Sequence, residues 1–296
     1  AFTAPSVTDQ YGLYTFQQTK VGNLHIEGAA RVESTTVETA ALSRDFTGTS
    51  VSVGGDYHLS DAFRIGGTVY RTERAPTAEA LFSEGPHLAT GQYERGNDDL
   101  DIEVASGIEA ALRYRTGPLS LTANIFHTDY DGYIYELATG EIADDLPVYQ
   151  YTAADANFTG FELQGQFHAG QYHGADIDFD ALLESVKAQA NGENLPRVPV
   201  MSLLAGVDIA LERLTARIEI EHSSEANDLG PLETPTQAYT LSNVFFTWEP
   251  ATDQDVSFRV SFHNLFDVDA RQHSSFLKDS APLKGRDIRV SMLTNF

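Results

Sequence analysis

Asp287-Ile288-Arg289-Val290-Ser291-Met292-Leu293-Thr294-Asn295-Phe296 alternates apolar with polar residues as far as the terminal phenylalanine. In an extended chain successive side chains point to opposite faces. Ile288, Val290, Met292 and Phe296 therefore share one face, and Asp287, Arg289, Ser291 and Asn295 share the other. A ribbon with one greasy and one charged face suits a sheet with lipid on one side and a wet lumen on the other.

The pattern recurs upstream. Thr215, Arg217, Glu219 and Glu221 alternate with Leu214, Ala216, Ile218 and Ile220, and Ser257, Arg259, Ser261 and His263 with Val256, Phe258, Val260 and Phe262. Glu162, Gln164 and Gln166 alternate with Phe161, Leu163 and Phe167, and His25, Glu27, Arg31 and Glu33 with Leu24, Ile26, Ala30 and Val32. Such period-two stretches are strands with two unlike faces. Their polar faces carry charges of both signs, which an apolar sandwich core would not accept.

Composition narrows the classes. No apolar run approaches the ~18 residues that a membrane-crossing helix needs, whereas barrel strands cross with ~9–11 residues, half of them polar. The chain has no cysteine, so thiolate metal sites and disulfides are excluded. A net charge of −24 argues against nucleic acid as a partner. Catalytic signatures are missing: there is no Gly-x-Ser-x-Gly elbow, His-Glu-x-x-His or phosphate-binding glycine loop, and an enzyme is not expected.

The periodicity predicts about thirteen strands, near 8–20, 23–36, 46–59, 62–74, 101–115, 119–135, 148–168, 174–188, 200–211, 213–225, 237–249, 254–266 and 286–296. Short connections fall at Val21-Gly22, Leu59-Ser60-Asp61, Thr116-Gly117-Pro118, Gly170 to Gly174, Glu212 and Pro250-Ala251-Thr252-Asp253. Long ones fall at 37–45, 75–100, 136–147, 189–199, 226–236 and 267–285, in strict alternation with the short. Outer-membrane barrels have this asymmetry, with tight periplasmic turns and long external loops. An odd strand count does not close a standard barrel, so the N-terminal part of the barrel is expected to lie outside this sequence.

Several segments resemble the C-terminal half of a TonB-dependent outer-membrane receptor. They are Arg74-Ala75-Pro76-Thr77-Ala78-Glu79-Ala80-Leu81-Phe82, Gly96-Asn97-Asp98-Asp99-Leu100 with the strand that follows it, Gly160-Phe161-Glu162, Leu195-Pro196-Arg197-Val198-Pro199, and Asn264-Leu265-Phe266-Asp267 with Gly285-Arg286 and Phe296. Thr294 departs from the family, standing where an aromatic is usual. The resemblance implies an all-β, antiparallel transmembrane barrel, with residues 1–296 forming the C-terminal portion of a 22-stranded type whose lumen is plugged. About nine strands and the plug would then lie elsewhere. It further implies an outer membrane of a Gram-negative bacterium, energy from TonB–ExbB–ExbD acting on the missing plug, contact with lipid and lipopolysaccharide, and insertion by the barrel assembly machinery. Gly85-Pro86-His87-Leu88-Ala89-Thr90-Gly91 and Ser275-Phe276-Leu277-Lys278-Asp279 resemble the subgroup associated with zinc or haem uptake. The expected cargo is a scarce metal species: zinc, haem or an iron-siderophore. The rival readings are a plugless porin-like or structural barrel and a soluble secreted carbohydrate-binding β-protein.

Glu94, Asp98 and Asp99, Glu136, Glu141, Asp144 and Asp145, and Glu225, Asp228 and Glu233 all fall in or beside the inferred external loops. An acidic mouth concentrates cations and repels anions. Without cysteine, imidazole and carboxylate are the available metal ligands. His25, His58, His168 and His173 lie near the periplasmic turns, His127 in an aromatic belt and His222 on the outward face, which leaves His87 and His273 in external loops and His263 facing the lumen near the mouth. His87, Glu94, Asp98, Asp99 and His273 are the expected ligand-binding residues, with His87, His263 and His273 as metal ligands.

Overall fold

The computed structural model describes residues 2–250 and 255–295. Thirteen long strands form one antiparallel meander in which each pairs with its neighbour in the chain. They are β1 (Ser6–Val21), β2 (Leu24–Thr39), β3 (Ser43–His58), β4 (Phe63–Arg74), β7 (Glu103–Thr116), β8 (Leu119–Ala143), β9 (Leu146–Tyr172), β10 (Ala175–Ala190), β12 (Ser202–Ala210), β13 (Leu214–Ser223), β14 (Tyr239–Trp248), β15 (Asp255–His263) and β16 (Asp287–Asn295). Three short strands, β5 (Glu84–His87), β6 (Gln92–Arg95) and β11 (Glu193–Asn194), and one short helix, α1 (Ala78–Phe82), belong to the connections. The expected terminal Phe296 and most of the turn at Pro250-Ala251-Thr252-Asp253 lie outside the described residues.

Register carries the alternation from strand to strand. Val69 pairs with Ile108, Ile65 with Leu112, Ala123 with Leu163, Ile218 with Val244 and Val260 with Val290, so the apolar residues form one continuous face. On it Ile65, Val69, Ile108, Ile125, Leu163, Ile218 and Val290 are all exposed. Exposed apolar surface on that scale is the mark of a face that meets lipid.

The opposite face is polar and cross-linked. Arg217 on β13 reaches Asp208 on β12 at 2.5 Å and Asp180 on β10 at 2.6 Å, and its Nε lies 3.1 Å from Glu219. It does so by lying flat across Gly206, where a Cβ would stand 2.3 Å from the guanidinium. Tyr70 on β4 likewise spans the sheet to hydrogen-bond Thr128 on β8 at 2.9 Å.

Two connections expected as long loops are strand instead. Between β2 and β3 only residues 40–42 intervene, and β8 and β9 run on past 136–147 to a turn at Asp144 and Asp145. Both aspartates have positive φ (52° and 62°), the geometry of a two-residue hairpin turn that keeps strand twist. At 25 and 27 residues, β8 and β9 far exceed the ~9–11 residues that cross a bilayer, so this hairpin projects outward.

Apolar packing is concentrated at the external mouth. Val37 and Phe46, at the outer ends of β2 and β3, bury against Ala80, Leu81 and Leu100 of the 75–102 connection. That connection therefore folds inward over the polar face as a cap. Gly96 makes the fold-back possible: a Cβ there would sit 2.6 Å from the Leu81 carbonyl oxygen, and its N–H donates to Ser83 O at 2.6 Å.

Candidate functional site

The cap brings one histidine and two carboxylates together from three elements. Thr77 caps α1 by accepting from Ala80 N–H, which sets Glu79 in the first turn. The chain then enters the β5–β6 hairpin, where Gly85 pairs with Glu94 and His87 with Gln92. The turn closes on Gly91 (φ 69°), whose N–H donates to His87 O at 3.0 Å. Parallel pairing of Tyr93, Glu94 and Arg95 with Val148, Tyr149 and Gln150 fixes the hairpin to the projecting β9.

Glu94 is 2% exposed. Its Oε1 lies 2.5 Å from His87 Nδ1, accepts from Thr90 Oγ1 at 3.3 Å and is 3.4 Å from the Gln92 amide. Among the described residues its Oε2 has no hydrogen-bond partner. The Glu79 carboxyl faces this group, and one ligand atom each from Glu79, His87 and Glu94 lies within 4.8 Å of the others. Burial, and then the neighbouring Glu94 charge, hold the Glu79 carboxyl above the usual carboxylate range. Phe2 stacks on the His87 ring, with centroids 4.0 Å apart and planes 6° from parallel.

Gln92 also reaches Glu136 on β8, at 3.4 Å, and Glu136 sits 3.4 Å from Arg197. Burial raises the Glu136 carboxyl, though Arg197 opposes this. Arg197 is held between Phe276 (4.0 Å to the ring centroid) and Tyr149 (5.7 Å).

A second buried cluster closes the other loops. Glu233 accepts from the N–H of Arg197 at 2.8 Å and of Gly230 at 3.0 Å, and from Lys278 Nζ at 3.0 Å; His273 Nε2 lies 3.2 Å away. His273 Nδ1 meets Thr236 Oγ1 at 3.1 Å and Lys278 Nζ at 3.3 Å. Burial depresses the His273 imidazole. Burial alone would raise Glu233, but the two backbone donors and Lys278 outweigh it and leave that carboxyl below its ordinary value.

Of the expected residues, His87 and Glu94 meet. Asp98 and Asp99 are exposed in the turn after β6, and His263 faces the lumen side, edge-on to Phe245 at 5.3 Å. His273 sits in the Glu233–Lys278 cluster. Glu79 escaped sequence reading; the available signal was its place behind a Thr77 cap, in a segment that returns to the hairpin. Glu136 was read only as part of an acidic mouth, and Lys278 was given no role, because Arg197 and Glu233, their charge partners, lie far along the chain.

The sequence profile described as TonB dependent receptor-like, beta-barrel matches residues 1–265. The chain belongs to the TonB-dependent receptor family. Barrels of this family sit in the outer membrane of Gram-negative bacteria, so the exposed apolar face of the sheet is its lipid face. Solved structures similar in fold include the copper transporter OprC (TM-score 0.83, 19% identity, 98% of this chain and 48% of that one). The FrpB iron transporter from Neisseria meningitidis, F3-3 variant, aligns with a TM-score of 0.73, 14% identity and coverage of 97% and 45%. The unliganded ferric citrate transporter FecA aligns with 0.73, 16%, and 98% and 45%. The chain thus spans about half the length of these transporters.

Proposed function

We propose that the protein of which this barrel region is part is an outer-membrane receptor that takes up a scarce metal species (zinc, haem or an iron chelate) with energy delivered through TonB. The observation that carries this reading is the mouth: the external loops enclose the carboxylates of Glu94, Glu136 and Glu233 in a chain of net charge −24. Such a field draws in cations and repels anionic complexes. The transporters similar in fold are named for copper, iron and ferric citrate, which supports a metal as cargo. TonB, ExbB and ExbD would act through a plug supplied by the rest of the protein. The apolar face would contact lipid, the acidic exterior would meet lipopolysaccharide through divalent ions, and the C-terminal strand would engage the barrel assembly machinery.

Cells limited in turn for zinc, haem and chelated iron, with and without the receptor gene, test this reading. Receptor-dependent and TonB-dependent accumulation of one of the three is expected. Equal accumulation of all three in both strains would remove it. In zinc-limited cells, changing His87 and His273 together to alanine is expected to lower uptake, His87 through the ligand cluster and His273 through the Glu233 cluster.

A further inference from the structure

We infer that Glu79, His87 and Glu94 form a direct binding site for a bare divalent transition-metal ion of the zinc class, held by the cap without a chelator; this rests on the reading that the cargo is a metal species. The two carboxylates face one another, Glu94 buried and Glu79 half-buried, with ligand atoms of all three residues within 4.8 Å. Like charges so placed do not both persist in the ionised form unless a proton or a cation lies between them. Among the described residues neither Glu79 nor Glu94 pairs with a lysine or arginine, and the only ion-pair contact of Glu94 is His87. Glu94 Oε2 is also buried and, among the described residues, without a hydrogen-bond partner. A buried carboxylate oxygen left bare costs free energy that a bound cation removes.

The donor set selects the metal. One imidazole and two carboxylates suit zinc and its neighbours, whereas magnesium and calcium favour oxygen alone and Cu(I) favours sulfur. The chain has no cysteine, and its two methionines, Met201 and Met292, lie outside the cap connection. Three protein ligands leave a fourth position of a tetrahedral ion open, as befits an ion that must be passed on rather than kept. The three ligand atoms lie within 4.8 Å of one another, a spacing that suits a single ion rather than a porphyrin or siderophore. Loading then releases protons, because imidazole and carboxylates bind metal in their deprotonated forms.

The test uses the full-length receptor in detergent and Zn2+ alone as the probe, followed by titration calorimetry in buffers of different ionisation enthalpy. Wild type is expected to bind zinc with proton release, unaffected by excess Mg2+. Glu79→Gln, His87→Ala and Glu94→Gln are each expected to weaken binding at least as much as the loss of a supporting residue does, about tenfold to a hundredfold, while His58→Ala and His173→Ala, at the short turns, leave it unchanged. Heat-modifiable migration on gels checks that each variant keeps its barrel, and Glu79→Gln and Glu94→Gln probe two separate elements should one misfold. Equal zinc affinity in wild type, Glu79→Gln and Glu94→Gln would overturn the site and leave a shared proton as what lies between the carboxylates. If that result accompanies intact receptor-dependent metal uptake, the site alone falls. If the variants behave as expected but cellular metal content never depends on the receptor, the uptake reading falls and the site stands.

Discussion

The external loops hold two histidine–carboxylate clusters, one in the cap and one between the 226–236 and 267–285 connections, that differ in how their charge is balanced. Around Glu233 the chain supplies its own cation: Lys278 Nζ at 3.0 Å, with two backbone N–H groups completing the carboxylate's partners. Around Glu94 there is no lysine or arginine among the described residues, only His87, and a second carboxylate, Glu79, faces the first. A completed cluster is a fastener, whereas an uncompleted one is charge-deficient and is finished by something from outside. Burial alone does not separate the two, since Glu94 and Glu233 are both almost wholly enclosed.

The contrast predicts opposite outcomes for similar substitutions. Lys278→Met leaves Glu233 a buried charge held only by two backbone N–H groups and a depressed imidazole, and breaking such a pair costs about 3–5 kcal/mol. In the metal-free receptor, hydrogen exchange over 226–236 and 270–281 should accelerate accordingly. Glu94→Gln keeps size and hydrogen bonding while removing one of two facing charges. It should slow exchange over 79–95 in the metal-free receptor, by about 1 kcal/mol. Equal loosening of the two clusters by their substitutions would break the comparison.

Acid should separate the clusters as well. His273 is surrounded by Glu233, Lys278, Asp279 and Thr236, and its imidazole is depressed chiefly by burial. A group with a lowered folded pKa leaves the unfolded segment binding more protons, so stability rises with pH. The contribution of His273 is present above the ordinary imidazole value of about 6.5 and is lost as pH falls through that value toward the folded one. Glu233, also lowered, acts in the same direction below the carboxylate value of 4.5. Protection over 270–281 should therefore fall between pH 7 and about pH 5.5, and His273→Gln should flatten that slope. A pH-independent wild type would show that the imidazole is not what the cluster senses.

Much of the wall was legible in the sequence because its physics is local. A strand between lipid and lumen must alternate, and every one of the thirteen expected segments overlaps a long strand. The errors fall where the membrane stops imposing that rule. Residues 136–147 resemble a loop because Gly140 and the Asp144-Asp145 pair are turn formers, yet here they serve as a bulge and a tight hairpin within two continuing strands. In the cap, His87 and Glu94 were readable as candidates from their place between strands. That Glu79 joins them depends on α1 folding back under Gly96, a contact of backbone on backbone that no periodicity reports. His273 looked like a companion of His87 because both are external histidines, and it is Glu233, 40 residues away, with Lys278 that gives it a different environment.

Arg197 joins the two clusters and supplies the finest test of their independence. Its backbone N–H serves Glu233, while its side chain pairs with Glu136, whose other neighbour is Gln92, next to Glu94. Arg197→Lys keeps the backbone bond and the charge. It gives up the planar stack on Phe276 and the fork toward Glu136, a loss of about 0.5–1 kcal/mol. If the clusters are separate devices, that loss should appear as faster exchange at 226–236 and 270–281, with zinc affinity altered less than about threefold. A larger fall in zinc affinity would mean that Arg197, through Glu136 and Gln92, helps to position Glu94. Fastener and ligand cluster would then be one coupled unit, and closure of the loops would set how tightly the cap holds its ion.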